Sequence, residues 1–154
     1  MISDLYDKAK NYAYRLLGFR ARSEKELKSK ISGKGYSRKI TDRVVNDLSD
    51  EGLVDDKKLA ADWIRTRLEY NPRSLSAIKY ELLARGIDED IAEKQLGDIA
   101  LDFDEKEIVR GLIMKRMSIV VGLVKQKAKQ RLYNFLKRRG FSSEIILKTL
   151  SDII

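Results

Sequence analysis

With no histidine and no cysteine among 154 residues, the chain has no thiolate nucleophile, no imidazole general base, no disulfide and none of the usual Cys/His zinc ligands. Three other arrangements invite a chemical reading. Ser32-Gly33-Lys34-Gly35 resembles part of a phosphate-binding loop, but Lys28 stands where that loop needs its first glycine and Gly35 where it needs Ser or Thr. Asp102 and Asp104 open a calcium-loop pattern, which Lys106 and Glu107 then break at the third ligand and the required glycine. Acidic groups at Asp55-Asp56, Asp88 to Asp90 and Asp104 to Glu107 fall where helices begin, so pairing with the positive end of a helix dipole is their expected role. A magnesium or general-acid site there remains the competing reading. No cofactor and no metal site is expected, and among enzymes only a carboxylate-based hydrolase or nuclease stays open, with a divalent-metal requirement as its sign.

Cationic residues give a stronger signal. The formal net charge is +8, and its distribution is uneven. Residues 1–54 hold 12 basic against 8 acidic residues (+4), residues 55–102 hold 8 against 11 (−3), and residues 103–154 hold 12 against 5 (+7). Two basic ends around an acidic middle fit a composite target of protein and nucleic acid better than a uniform DNA coat. The run Lys125, Lys127, Lys129, Arg131, Lys137, Arg138 and Arg139 includes no acid. Cations in the last turn of a helix are explained by the dipole, but this run exceeds that requirement and points to phosphate or an acidic groove. Arg65, Arg67 and Arg73 continue the cationic strip. The residues expected to face phosphate or an acidic groove are therefore Arg65, Arg67, Arg73, Lys125, Lys129, Arg131, Lys137, Arg138 and Arg139. Reversing Lys137, Arg138 and Arg139 is expected to weaken binding without unfolding the protein. Tyr12, Tyr14, Trp63, Tyr70, Tyr80 and Tyr133 are expected mostly to be half-buried packing aromatics.

What positions these residues is an internal repeat. Glu26-Leu27 to Gly35-Tyr36-Ser37 recurs as Ala77-Ile78 to Gly86-Ile87-Asp88 and as Arg131-Leu132 to Gly140-Phe141-Ser142. Each glycine suits the left-handed residue that ends a helix. The apolar residue after it packs back on that helix, and the following Ser or Asp caps the next. An upstream helix precedes each pair: Ser3 to Leu17, Asp56 to Glu69 and Asp104 to Met117. Their core stripes are Ala9, Ala13, Leu16 and Leu17, then Leu59, Ala60, Trp63, Ile64 and Leu68, then Ile108, Val109, Leu112 and Ile113. Ser23 with Glu26 forms a capping box, and Ser74 caps the corresponding helix after Tyr70-Asn71-Pro72-Arg73. The segment Ser118 to Val124 is expected to be a helix extension or a packed connector. The expected fold is all-α, with three tandem three-helix repeats at 1–54, 55–102 and 103–154 in an elongated, curved solenoid-like arrangement. Helices after the glycine corners begin Ser37-Arg38-Lys39, Asp88-Glu89-Asp90 and Ser142-Ser143-Glu144. Two of the three lack a basic first turn, which disfavours base reading in the major groove. No apolar run approaches a membrane span and the start of the chain has no signal-peptide pattern, so a cytoplasmic location is expected.

Along nearly its whole length the sequence resembles the RecX family. The resemblance is carried by Ala13-Tyr14-Arg15-Leu16-Leu17, Arg22-Ser23-Glu24-Lys25-Glu26-Leu27, Lys34-Gly35-Tyr36-Ser37 and, most specifically, Asp50-Glu51-Gly52-Leu53-Val54-Asp55-Asp56-Lys57-Lys58-Leu59-Ala60. Arg73-Ser74 through Lys79-Tyr80-Glu81-Leu82 to Arg85-Gly86-Ile87 repeats the theme, with Arg85 where Lys is usual, and the third repeat matches more loosely. The resemblance implies a non-catalytic, monomeric regulator that lies in the groove of a RecA filament. It would block filament extension or promote disassembly, and so inhibit the recombinase, ATPase and coprotease activities of homologous recombination, DNA repair and the SOS response. It would bind single- and double-stranded DNA more weakly alone than as part of a filament. The alternative is a general DNA-binding helical-repeat module with no recombinase partner, for which tight and steeply salt-dependent binding to naked DNA is expected.

Overall fold

The computed structural model describes residues 2–154, and among these every regular element is helical. In chain order they are α1 (Ile2–Phe19), α2 (Glu24–Gly33), α3 (Arg38–Asp50), α4 (Asp56–Tyr70), α5 (Leu75–Ala84), α6 (Glu89–Ala100), α7 (Glu105–Val120), α8 (Lys125–Arg138) and α9 (Ser143–Ile153). They form three successive helix triplets, α1–α3, α4–α6 and α7–α9. By internal packing the chain forms two compact units: one runs through Trp63 and includes Glu81–Gln95, and the other comprises Ile64–Tyr80 and Leu96–Ile154.

Four predicted serine caps are in place, whereas the Asp88 carboxylate, expected to cap α6, accepts from Lys25 Nζ at 2.9 Å. Ser23 accepts from the Glu26 amide while the Glu26 carboxylate accepts from the Ser23 amide, a complete capping box. Ser37 and Ser142 accept from the amides of Ile40 and Ile145, Ser74 from that of Ala77, and Asp104 from that of Lys106. Gly35, Gly86 and Gly140 have φ of +97°, +83° and +89°, and the Ile87 and Phe141 amides reach back to the carbonyls of Leu82 and Leu136. At these two corners that closure turns the apolar side chain inward: Ile87 is 2% exposed and Phe141 fully buried.

In the first unit, Leu27 and Ile31 of α2 pack with Ala9 and Ala13 of α1 and with Val44, Val45 and Leu48 of α3. In the second, Leu132, Phe135 and Leu136 of α8 pack with Val109, Leu112 and Ile113 of α7, with Phe141, and with Ile146 and Leu150 of α9. Each buried Leu or Ile contributes about 1.5–3 kcal/mol through the apolar area it removes from water, far more than helix propensity alone.

A second use of the corners emerges from the structure. In the first unit Ser23 Oγ donates to the Arg85 carbonyl at 2.6 Å, and Ser23 is fully buried. In the second unit the Ser74 amide donates to the Arg139 carbonyl at 3.0 Å, and Ser74 is 3% exposed. The start of one helix pair's first helix thus docks on a glycine corner from the next repeat. A Cβ on Gly86 would lie 2.9 Å from Lys25 Cβ, and one on Gly140 would lie 2.7 Å from Ser74 Oγ and 2.8 Å from Ala77 Cβ. At Gly35 nothing lies within 4 Å.

Two expectations are corrected. The segment from Ser118 is helical through Val120 rather than ending at Met117, and it then turns at Gly122 (φ +87°). Val120 is buried and Leu123 packs against the same core, while Val121 and Val124 are exposed, so the segment is a helix extension, one of the two expected forms, followed by a partly packed turn. Tyr70 and Tyr80, at 77% and 76%, and Tyr14, at 40%, are exposed rather than half-buried. Tyr70 is the last residue of α4, and Tyr80 follows buried Ile78 by two positions, which turns it to the outer side of α5.

Candidate functional site

All nine basic residues singled out from the sequence belong to the second unit, but they do not form one surface. Arg139 is half-buried and turned inward, where its guanidinium donates to Asn71 Oδ1 and to the Pro72 carbonyl at 3.2 Å. Burial, and then the neighbouring charges of Arg73, Arg116 and Arg67, lower its pKa from the usual arginine value. The Arg139 guanidinium therefore lies close enough to those of Arg73, Arg116 and Arg67 to feel their charge. An anion bound beside Arg139 would offset that repulsion. Arg139 and Arg116 both lie over the Phe135 ring, at 5.1 Å and 3.7 Å from its centroid, which fixes the two groups by cation–π contact.

Arg131 and Arg138 sit elsewhere on the same helix. Asn134, Phe135 and Arg138 follow Arg131 at helical spacings of three, four and seven residues, so all four lie on one face of α8. On α7, Arg116, Ile119 and Val120 form the opposing wall at spacings of three and four. Between them is a cleft of about 230 Å³, lined by these residues and Leu132. Arg116, which sequence reasoning did not select, joins the two groups: it lines the cleft and also lies near Arg139. Its position three and four residues before Ile119 and Val120 was the available signal.

The remaining candidates point away from this cleft. Lys129 lines a different groove, with Gln126, Gln130, Tyr133, Leu147 and Leu150. Lys125 and Lys137 are exposed on α8 and Arg65 is exposed on α4, and none of them lines the cleft. Arg67 and Arg73 are half-buried beside Arg139. The expectation that Lys137, Arg138 and Arg139 can be reversed together without unfolding is corrected. Glutamate at 139 would place a carboxylate against two oxygen acceptors in a partly buried site and leave both without a donor.

The acidic groups at helix starts have local roles. Asp56 Oδ1 accepts from the Glu24 amide at 3.0 Å, Asp55 Oδ1 from the Lys58 amide at 3.2 Å, and Asp104 Oδ1 from the Lys106 amide at 3.0 Å. Burial raises the pKa of Asp56. Among the described residues no group of three or more potential ligands is arranged to hold a metal ion. No helix among them is long and apolar enough to cross a membrane.

Comparison with known proteins addresses the repeats and the whole chain. The models for the first, second and third three-helix domains of RecX match residues 9–48, 55–96 and 104–150. The regulatory protein RecX of Amycolatopsis mediterranei is 31% identical over 147 residues, covering 96% of this chain and 83% of that protein. The one from Chlorobium phaeobacteroides is 34% identical over 146 residues, covering 95% and 93%. The crystal structure of RecX from Lactobacillus salivarius superposes with a TM-score of 0.82 at 25% identity, over 98% of this chain and 97% of that one. Three consecutive domain matches in the right order, full-length relatives and the shared helical architecture lead to one conclusion: this chain belongs to the RecX family of regulatory proteins.

Proposed function

We propose that the protein binds RecA and RecA–DNA filaments and inhibits recombinase, ATPase and coprotease activity, by blocking filament extension or promoting disassembly. It acts as a cytoplasmic monomer without catalysis, and it binds single- or double-stranded DNA alone more weakly. The observation that carries this reading is the match of all three RecX domains across the chain. The guanidinium cluster of the second unit supports it, because a filament groove presents phosphate beside protein. Inhibition needs no bond-making step: a ligand that prefers one filament state shifts its population by the differential affinity alone.

The arginine cluster also favours a second reading, a general DNA-binding module without a recombinase partner. Titrating the protein into RecA-catalysed, single-strand-dependent ATP hydrolysis separates the two, with binding to naked and filament-coated DNA followed at the same salt. Substoichiometric loss of hydrolysis with preferential filament binding is the expected result. Unchanged hydrolysis with tight binding to naked DNA would replace the first reading by the second.

A further inference from the structure

The geometry points to the α7–α8 cleft as a seat for one nucleotide unit of single-stranded nucleic acid, with the phosphate at Arg131 and Arg138 and the base against Arg116 and the apolar wall. This deepens the nucleic-acid part of the proposed function and rests on it.

Three features of the cleft select this ligand. First, it is rimmed by three guanidinium groups, Arg116, Arg131 and Arg138, and no carboxylate lines it. Planar forked donors of this kind match phosphate oxygens two at a time. Second, its lining is apolar where a bare anion would need none. Ile119 is 59% exposed at the mouth, and Val120, Leu132 and Phe135 form the floor. Third, Arg116 lies 3.7 Å from the Phe135 centroid, held against the ring by cation–π contact. A guanidinium fixed in this way is a platform on which a base can stack. Asn134, whose Oδ1 accepts from Gln130 Nε2 at 3.0 Å, adds its amide N–H donors at the same rim.

A volume of about 230 Å³ admits one unstacked unit rather than a duplex, whose bases are paired and stacked away from side chains. An acidic peptide would satisfy the rim but would leave the stacked Arg116 and the branched Ile119 without a planar partner. The groove on the other side of α8, with Lys129 and Tyr133, has one cation and no guanidinium, so it offers no comparable seat.

The test uses the full chain and no recombinase. The arginine Nε–H resonances are followed by NMR while a 5′-phosphorylated pentathymidylate is added, and affinity is read at several salt concentrations. Arg116, Arg131 and Arg138 should shift together. Arg131→Gln and Arg138→Gln should each weaken binding about tenfold and reduce the salt slope by about 0.7 for each phosphate no longer neutralised. Arg116→Lys keeps the charge but loses the flat face. It should weaken binding of the thymidylate and leave an abasic pentamer unaffected, while the abasic pentamer binds the parent protein about tenfold less tightly. Lys8→Gln removes the same charge from exposed α1 and should change neither affinity nor slope beyond general screening; far-UV circular dichroism checks that each variant is folded.

Unchanged affinity in the Arg116→Gln/Arg131→Gln/Arg138→Gln variant would overturn the proposal. So would equal binding of the abasic pentamer, equally tight binding of pentaglutamate, or thymidine triphosphate binding as tightly as the oligonucleotide. If the cleft behaves as expected but RecA hydrolysis is unaffected, the filament reading fails and the cleft stands. If hydrolysis is inhibited and the cleft variants bind normally, the reverse holds.

Discussion

Gly86 and Gly140 answer to two requirements at once, and Gly35 to one. All three have positive φ, which costs a residue with a Cβ about 1 kcal/mol. Only the first two are also pressed against a neighbour within 3 Å of where a Cβ would stand. Those neighbours, Lys25 Cβ and Ala77 Cβ, are close to the backbone and cannot swing aside. Gly35→Ala should therefore lower stability by about 1 kcal/mol, and Gly86→Ala and Gly140→Ala by about 2–4 kcal/mol, the added part being overpacking. Urea denaturation of the three variants checks the order, and equal losses would show that the docked surfaces are loose. The sequence made the left-handed caps legible because a cap depends on neighbours three to five residues away. It did not reveal the docking, because the two halves lie 62 residues apart between Ser23 and Arg85. Arg139 shows the same limit. Its charge was plain, but Asn71 and Pro72, which turn it inward, lie 68 and 67 residues earlier.

At the level of elements, α8 departs most from the repeat. It has 14 residues where α2 and α5 have 10. Ser23 and Ser74 each lie twelve residues before their glycine, and the matching position in the third repeat is Ala128, inside the helix and buried. The helix starts a turn earlier, at Val124, whose φ of −60° and ψ of 147° are those of a capping residue but whose side chain makes no capping bond. Val124 is 66% exposed, so replacing it removes little burial. Val124→Ser should stabilise the protein by about 0.5–1 kcal/mol, seen as a rise in Tm; a fall would mean that the apolar side chain has a packing role. The preceding end of α7 was hard to read for a physical reason. Ile119 and Val120 disfavour a helix by only a few tenths of a kcal/mol each, and the burial of Val120 against the α7–α8–α9 core more than offsets it. By contrast, the stripe Arg131, Asn134, Phe135, Arg138 was open to simple helical spacing. The spacing of the basic run permitted one surface, and the structure spreads it over several.

At the scale of the whole molecule the all-helical repeat was the most legible property, since it is written three times in local signals. The two compact units were not, since their division falls within α4, α5 and α6, inside continuous helices with no loop to mark it. Each docked serine and its glycine corner lie inside one unit, so disrupting the pair should be felt there first. In native-state hydrogen exchange, Gly86→Ala should raise exchange chiefly in residues 2–63 and 81–95, and Gly140→Ala chiefly in 64–80 and 96–154; uniform acceleration in both variants would indicate a single cooperative unit. The missing serine of the third repeat has a consequence for how such a chain can grow by gene duplication. A copied middle repeat would bring its own hydroxyl and its own glycine, and so could be threaded between existing neighbours. A copy joined after the third would meet Ala128 and an extra helical turn where it needs a socket, so the array admits new members in its interior and refuses them at that margin.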